Sequence, residues 1–463
     1  MRVEVDFVRA GYFWLPLAQD RKIPGTMRIA DGGEITLEVV GNFDLERTFN
    51  DEAQPIARIL GHVENEGLVT LDNCFYKSKP SSWTGGIVKS QLHVARALFK
   101  VHYDDLEPVL LNELRFTVDG LDDWLGVSGI SVKDAETGTW GTTITFKLPE
   151  AITFDWGDSP FKFSFSFGAT MPGSVLTEAR VSQKAYVRIE SINPADIAEF
   201  TAFAYKITNF LAFATDAAIS IREIYVASSD LTYEHLDQKQ LVQMRLFYAS
   251  RPFSKEIASI SWHTMLFRFQ QIKHNFSSIL GKWFAAYELI GPALNLYFAA
   301  RSGDQKYIEN RFLSLAQSLE TYHRRTNVEI FMPEEEFVSL ILSQMLACPP
   351  ERLEWLAGRL QHANEISLGR RIKKIIEPFK QHLGSSDERS TLCRKIVITR
   401  NYLTHYSEEN KGESAKGRDL WLLCIRMEAI FQLHLLMQIG FTDEEISGVL
   451  NGRSSLRKKL DEK

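Results

Sequence analysis

The stretch from Ala185 to Leu211 reads AYVRIESINPADIAEFTAFAYKITNFL, and two hydrophobic periods meet inside it. Before the junction Ala185, Val187 and Ile189 alternate with polar neighbours, the two-residue period of a strand with one face on a core. After it Ile197, Phe200, Ala204, Ile207 and Leu211 recur at helical spacing. Between them Asn193 suits an N-cap and Pro194 suits a first helical position, so a helix is predicted to begin there.

Working toward the N-terminus, the strand period persists. Ile144, Phe146 and Leu148 alternate, as do Phe161, Phe163, Phe165 and Phe167. Turn signals separate such runs at Asp31-Gly32-Gly33, Glu64-Asn65-Glu66-Gly67 and Asp155-Trp156-Gly157-Asp158. Working toward the C-terminus, helical spacing takes over. Ile308, Phe312, Leu315 and Leu319 share one face of a helix from about Tyr307, and Leu392, Ile396, Thr399 and Leu403 share one face of a helix from about Asp387 to Tyr406. A third helix is predicted from Asp419 to Ile439, and Thr442 with Glu445 forms a capping box opening a short last one. The expected fold class is α+β and multidomain. A β-rich sandwich or barrel-like domain fills residues 1–192, a helical connector follows over 193–254, and 255–463 is an all-α region with a core of about 300–440.

A length of 463 residues is too great for one ordinary core. With 44% hydrophobic and 24% charged residues the composition is that of a soluble globular protein. A net charge of −6 gives no global signature for nucleic acid, so a nucleic-acid role has to rest on a local patch. Cys74, Cys348, Cys393 and Cys424 are widely spaced with no CxxC pair, which argues against a disulfide framework and a structural zinc, and no cofactor motif stands out. The acidic residues Glu4 and Asp6 interrupt what a signal peptide would need, and Arg426, Glu428 and His434 interrupt the apolar run 420–439. The expectation is a cytoplasmic protein with no membrane span.

The helix 387–406 also carries chemistry: Arg400-Asn401-Tyr402-Leu403-Thr404-His405. An imidazole can move protons to and from ribose and leaving-group oxygens near neutral pH. A guanidinium can stabilise charge growing on phosphorus, and an amide can orient either partner. Asn401 and His405 are four apart and share a face, whereas Arg400 and His405 lie about 140° apart around the axis. One straight helix does not aim both at one atom, unless the helix stops at His405 or a second subunit brings its own copy. Arg268 and His274 form a similar but weaker pair, since Phe269 rather than a polar residue follows the arginine.

Other side chains admit a functional and a structural reading. Glu320, Tyr322 and His323 near the end of their helix either line the cleft beside Arg400 or form a polar helix end. Arg370, Arg371, Lys373 and Lys374 form either an RNA-docking strip or a solvated helix surface, and the tail Arg453, Arg457, Lys458 and Lys459 has the same ambiguity or is an unstructured end. Trp14, Trp83, Trp124, Trp140 and Trp156 suit sheet cores better than a ligand platform, and His62, His93 and His102 lack metal-ligand spacing.

Arginine, a polar residue directly after it, and histidine five positions on is the pattern of HEPN nucleases, which the 400–405 segment resembles. The resemblance extends over most of the chain. Gly11-Tyr12-Phe13-Trp14-Leu15-Pro16, Pro24-Gly25-Thr26, Ile35-Thr36-Leu37-Glu38 with Gly41, and Phe116 through Leu121 to Trp124-Leu125-Gly126 resemble the N-terminal domain of ApeA-type proteins. Leu319-Glu320-Thr321-Tyr322-His323 ahead of the Arg400 helix resembles their HEPN domain. This resemblance implies an anti-phage, abortive-infection endoribonuclease that leaves a 2′,3′-cyclic phosphate and a 5′-hydroxyl without a metal. It further implies a homodimer acting on RNA such as tRNA, with the N-terminal domain restraining it or sensing a phage-derived trigger. The rival expectation is a non-catalytic HEPN-like dimerisation and RNA-binding scaffold beside a ligand-sensing domain.

Overall fold

The computed structural model describes residues 1–43, 55–79, 87–134, 141–154, 160–171, 173, 177, 179–235, 237–302, 307–406, 408–452 and 454–462. The turn expected at Asp155–Asp158, together with Trp83, Trp140, Trp156 and Arg453, lies outside the described residues. Internal packing divides the chain into two compact units, Met1–Gly281 and Lys282–Lys463.

The first unit begins with strands β1 (Phe7–Trp14), β2 (Ile23–Ile29), β3 (Ile35–Val40), β4 (Ile56–Val63), β5 (Gly67–Ser78) and β6 (Lys89–Phe99). These close on themselves in the order β1–β2–β3–β6–β5–β4–β1, every pair antiparallel, so the barrel alternative of the two expected architectures is realised. Phe13, Met27, Leu37, Val69 and Leu71 are fully buried in it. Gly61 is required by packing: a Cβ there would lie 2.6 Å from the Phe13 ring. At the β4–β5 turn Asn65 and Gly67 take φ of 61° and 78°, where short polar residues and glycine are at ease.

The barrel extends into a wider sheet through β6. Lys89–Val94 of β6 pair with β3, while Arg96–Phe99 pair with β16 (Met244–Tyr248). The remaining elements are β7 (Leu110–Val118), α1 (Leu121–Leu125), β8 (Ile130–Asp134), β9 (Thr142–Phe146), β10 (Ile152–Phe154), β11 (Phe161–Thr170), β12 (Ser182–Asp196), α2 (Ile197–Thr215), β13 (Ile221–Ala227), β14 (Thr232–His235), β15 (Gln238–Leu241) and α3 (Phe269–Ile272). The extension runs β10–β11–β12–β7–β13–β16, and β8–β9 and β14–β15 form separate ribbons. Its aromatic core gathers Trp124, Phe154, Phe163, Phe165 and Phe210 with Phe269 and Phe276, and Trp124 Nε1 donates to the Phe267 carbonyl at 3.0 Å. The described tryptophans Trp14 and Trp124 are thus core residues.

Three expectations change here. Asn193 and Pro194 belong to β12, at the irregularity between Glu190 and Ala195 where its register on β7 shifts, and a bulge tolerates a residue without an N–H. The helix is instead capped by Asp196, whose side chain accepts from the Ala198 N–H. The expected helical connector 193–254 holds one helix, after which the chain returns as β13 and β16 to the edges of β7 and β6. Unpaired strand edges demand hydrogen-bond partners, and that demand has no local sequence signature. Residues 255–281 also belong to this first unit, because Phe267, Phe269 and Phe276 pack into its aromatic core.

Helix α4 (Phe276–Arg301) leads into the second unit, with non-helical backbone at Ile290 just before Pro292, which lacks an N–H. Then follow α5 (Ile308–Thr326), α6 (Glu334–Ala347), α7 (Leu353–Leu360), α8 (Leu368–Ile376), α9 (Ser386–His405), α10 (Glu408–Lys411), α11 (Gly417–Gln438), α12 (Asp443–Asn451) and α13 (Ser455–Asp461). Helix α11 is central, packing on α5, α12 and α13, while α5, α8 and α9 pack on one another. By length and composition α11 could cross a membrane, but most of it is buried within the unit. Its buried Glu428 pairs with Lys459 at 2.6 Å, Arg311 at 2.8 Å and Arg301 at 3.6 Å. The basic tail is therefore ordered from Ser455, with Leu456 and Leu460 buried. Thr442 and Glu445 make the expected capping box.

Candidate active site

Helix α9 starts where Ser385 and Glu388 form a capping box and buries Leu392, Cys393, Ile396, Thr399 and Leu403. Helix and His405 end together. Tyr406 takes the left-handed conformation at φ 50°, and its N–H closes the last turn on the Tyr402 carbonyl. The chain beyond it turns helical again as α10.

Arg400 and Asn401 are half-buried and His405 is exposed. Arg400 Nη1 donates to Asn401 Oδ1 at 3.3 Å, so the amide meets the guanidinium rather than the imidazole. Arg400 Nη2 lies 3.9 Å from Glu320 Oε2 on α5. Glu320 also accepts from Arg324 at 3.1 Å, and Arg324 reaches Glu365, which in turn pairs with Arg371 at 3.3 Å. A chain of charges thus runs from Arg400 into the helical unit. Glu320 lies between Arg400 and Arg324.

Neighbouring candidates separate. Tyr322 is buried against Phe431 and His434, and burial pushes its hydroxyl up to about 12. His323 is buried too. Its Nδ1 sits 3.4 Å from Arg371 Nη1, its Nε2 has no partner among the described residues, and burial followed by Arg371 holds its pKa below the usual value. Neither ring is exposed: Tyr322 lies about 200° from Glu320 around α5, while His323, about 60° from Glu320, is buried against Arg371. Arg371 likewise leaves the expected RNA strip: its side chain is 5% exposed and tied to Glu365. Arg370 and Lys374 are exposed and both pair with Glu329, and Lys373 is exposed. Among the described residues no group of three or more His, Cys, Asp or Glu side chains is placed to hold a metal ion.

The family model described as ApeA N-terminal domain 1 matches residues 8–283, more than half of the chain. The chain belongs to the ApeA family. The Apea-like HEPN model matches residues 313–445, from α5 into α12, and so brackets α9. HEPN domains are generally ribonucleases, and the ApeA HEPN family is associated with defence. No curated protein and no solved structure matches the chain. The ApeA N-terminal match ends within two residues of the boundary between the compact units.

Sequence reasoning missed two features of this ApeA chain. Glu365 and Arg324 join the charged network from distant positions, and no spacing relates them to Arg400. Beside the last turn of α9 lies a cleft of about 410 Å³ lined by Tyr307, Glu309, Asn310, Tyr402, Tyr406 and Lys416 over the apolar Leu403, Ala415 and Leu420. Its one legible signal was Tyr402 and Tyr406, four apart on a helix.

Proposed function

We propose that the helical unit is a metal-independent endoribonuclease and that the protein is a cytoplasmic anti-phage effector acting by abortive infection. The observation that carries this reading is the last turn of α9: within the HEPN match it presents Arg400, Asn401 and an exposed His405 at a helix end. In this reading neutral His405 takes the proton from a ribose 2′-hydroxyl as its oxygen attacks phosphorus. The bond to the 5′-oxygen breaks, and an imidazolium returns a proton to that leaving oxygen. Arg400 stabilises the charge on the phosphorane, and Asn401 holds the guanidinium in position. The products are a 2′,3′-cyclic phosphate and a 5′-hydroxyl. Because Arg400 and His405 diverge by about 140° on a regular helix, two copies combine their α9 ends into one composite cleft in a homodimer. RNA, tRNA included, is the substrate, and exposed Arg370, Lys373 and Lys374 contact its backbone. The N-terminal unit restrains the nuclease until a phage-derived trigger is sensed.

The test is RNA cleavage by purified protein in EDTA, comparing wild type with His405→Ala, alone and with extract of phage-infected cells. Cleavage by wild type with cyclic-phosphate ends, reduced about 10²-fold or more in the variant, is the expected result. Equal cleavage by both, or cleavage only with added Mg²⁺, would sink the proposal. Full phage protection by the His405→Ala variant would favour the scaffold role instead.

A further inference from the structure

We propose that the cleft beside the last turn of α9 is a nucleobase pocket that seats the base next to the scissile phosphate and prefers a base with an exocyclic amine. The inference rests on the ribonuclease reading of the same helix and names the part of the substrate that its neighbour grips. At about 410 Å³ the cleft is of small-ligand size. Its construction suits a flat, partly polar ring. Leu403, Ala415 and Leu420 are buried and form an apolar floor. Tyr402 and Tyr406 flank it with ring centroids 5.5 Å apart, and Tyr307 is the third aromatic. Lys416 Nζ lies 5.7 Å from the Tyr402 ring centroid, so a cation stands at the wall for a phosphate. Glu309 and Asn310 complete the lining with groups that read base edges.

Two of the tyrosines stand where local structure would choose otherwise. Tyr406 occupies a left-handed position at φ 50°, where glycine or asparagine avoids the strain, and the residue is 67% exposed. Tyr307 occupies the N-cap of α5 without making a capping bond, where Ser, Thr, Asp or Asn would stabilise the helix, and it is 69% exposed. Helix capping explains neither ring's position, and the edge-to-face contact of Tyr406 with Tyr402 still leaves most of the Tyr406 residue open to the cleft. Stacking on a base explains both, because every base offers a π-face to an aromatic side chain. Tyr406 directly follows His405 in the chain, so the cleft it lines adjoins the helix end that carries the proposed general base. The Glu309 carboxylate can only accept hydrogen bonds, so it favours an amino group and disfavours the carbonyls of uracil.

The experiment measures binding of AMP, UMP and ribose 5-phosphate to the full-length His405→Ala protein by calorimetry, and maps cleavage sites of the His405-containing protein on mixed-sequence RNA. AMP is expected to bind at least tenfold more tightly than either other probe. Adding Tyr406→Gly should weaken AMP at least tenfold without lowering Tm, since glycine relieves the left-handed position. Tyr402→Leu should do the same, and Glu309→Gln should narrow the gap between AMP and UMP. Equal binding of AMP and ribose 5-phosphate, or AMP affinity unchanged in both tyrosine variants, overturns the pocket. Tyrosine-dependent AMP binding with no RNA cleavage by any form keeps the pocket and removes the nuclease reading. Cleavage that ignores base identity in wild type and the tyrosine variants alike keeps the nuclease and removes the pocket.

Discussion

Glu428 and His434 sit six residues apart on α11, and both are buried. Burial works to raise the Glu428 carboxyl, but Lys459, Arg301 and Arg311 overcome it and hold the carboxyl well below the usual range. Its contribution to stability is therefore complete above the unfolded carboxylate range and is lost only as pH falls through the depressed folded value. Glu428→Gln leaves the three cations facing an amide, and a loss of about 3–5 kcal/mol in urea denaturation at pH 7 is expected. His434 differs in sign of charge but not in direction. Burial lowers its pKa to about 4, and the ring keeps its 2.8 Å contact to the Ile375 carbonyl. The unfolded chain takes up that proton from about pH 6.5, so stability falls as pH drops from 6.5 toward 4. In His434→Gln, whose amide can still donate to Ile375, denaturation midpoints should show a shallower slope across that window. Both residues were legible in the sequence only as interruptions of an apolar run. Their partners lie on α4, α5, α8 and α13, and no local pattern names them.

At the scale of elements, the best-read pieces are those whose ends carry their own chemistry. Thr442 with Glu445 forms the expected box within four consecutive residues, so local sequence suffices; Ser385 with Glu388 forms another just ahead of the helix start expected at about Asp387. Ser385→Ala should cost about 1 kcal/mol in equilibrium unfolding. The helix start at Asn193 was misplaced because a strand bulge and a helix cap draw on similar residues. Helices α6 and α7 are a different case. Their sequences are helical and apolar, yet neither buries a residue, and Leu342, Leu346 and Trp355 are 58%, 88% and 62% exposed. With so little burial to oppose local opening, native-state hydrogen exchange should show their amides unprotected well before those of α5 and α11. Equal protection in all four helices would contradict that.

For the molecule as a whole, the first unit extends well beyond its strands' expected end. A fragment of residues 1–254 lacks Phe267, Phe269 and Phe276, whose rings pack around Trp124 and Phe210. It should be far less stable than residues 1–281, since losing even one buried Phe costs about 3–5 kcal/mol. Circular-dichroism melts of the two fragments check this, and equal Tm values would contradict it. The β-rich front, the helical back, the α9 helix with Arg400, Asn401 and His405 near its end, and the ApeA resemblance were determined by sequence alone. Each rests on a repeat period, a cap or a short motif, and all of these are local in the chain. Barrel closure, the return of β13 and β16 to the sheet, the inward turn of Tyr322, His323 and Arg371, the Glu320 contact to Arg400 and the tyrosine-lined cleft were decided by tertiary structure. Each depends on which surfaces meet across tens to hundreds of residues, and burial and hydrogen-bond satisfaction choose those meetings only once the chain has folded.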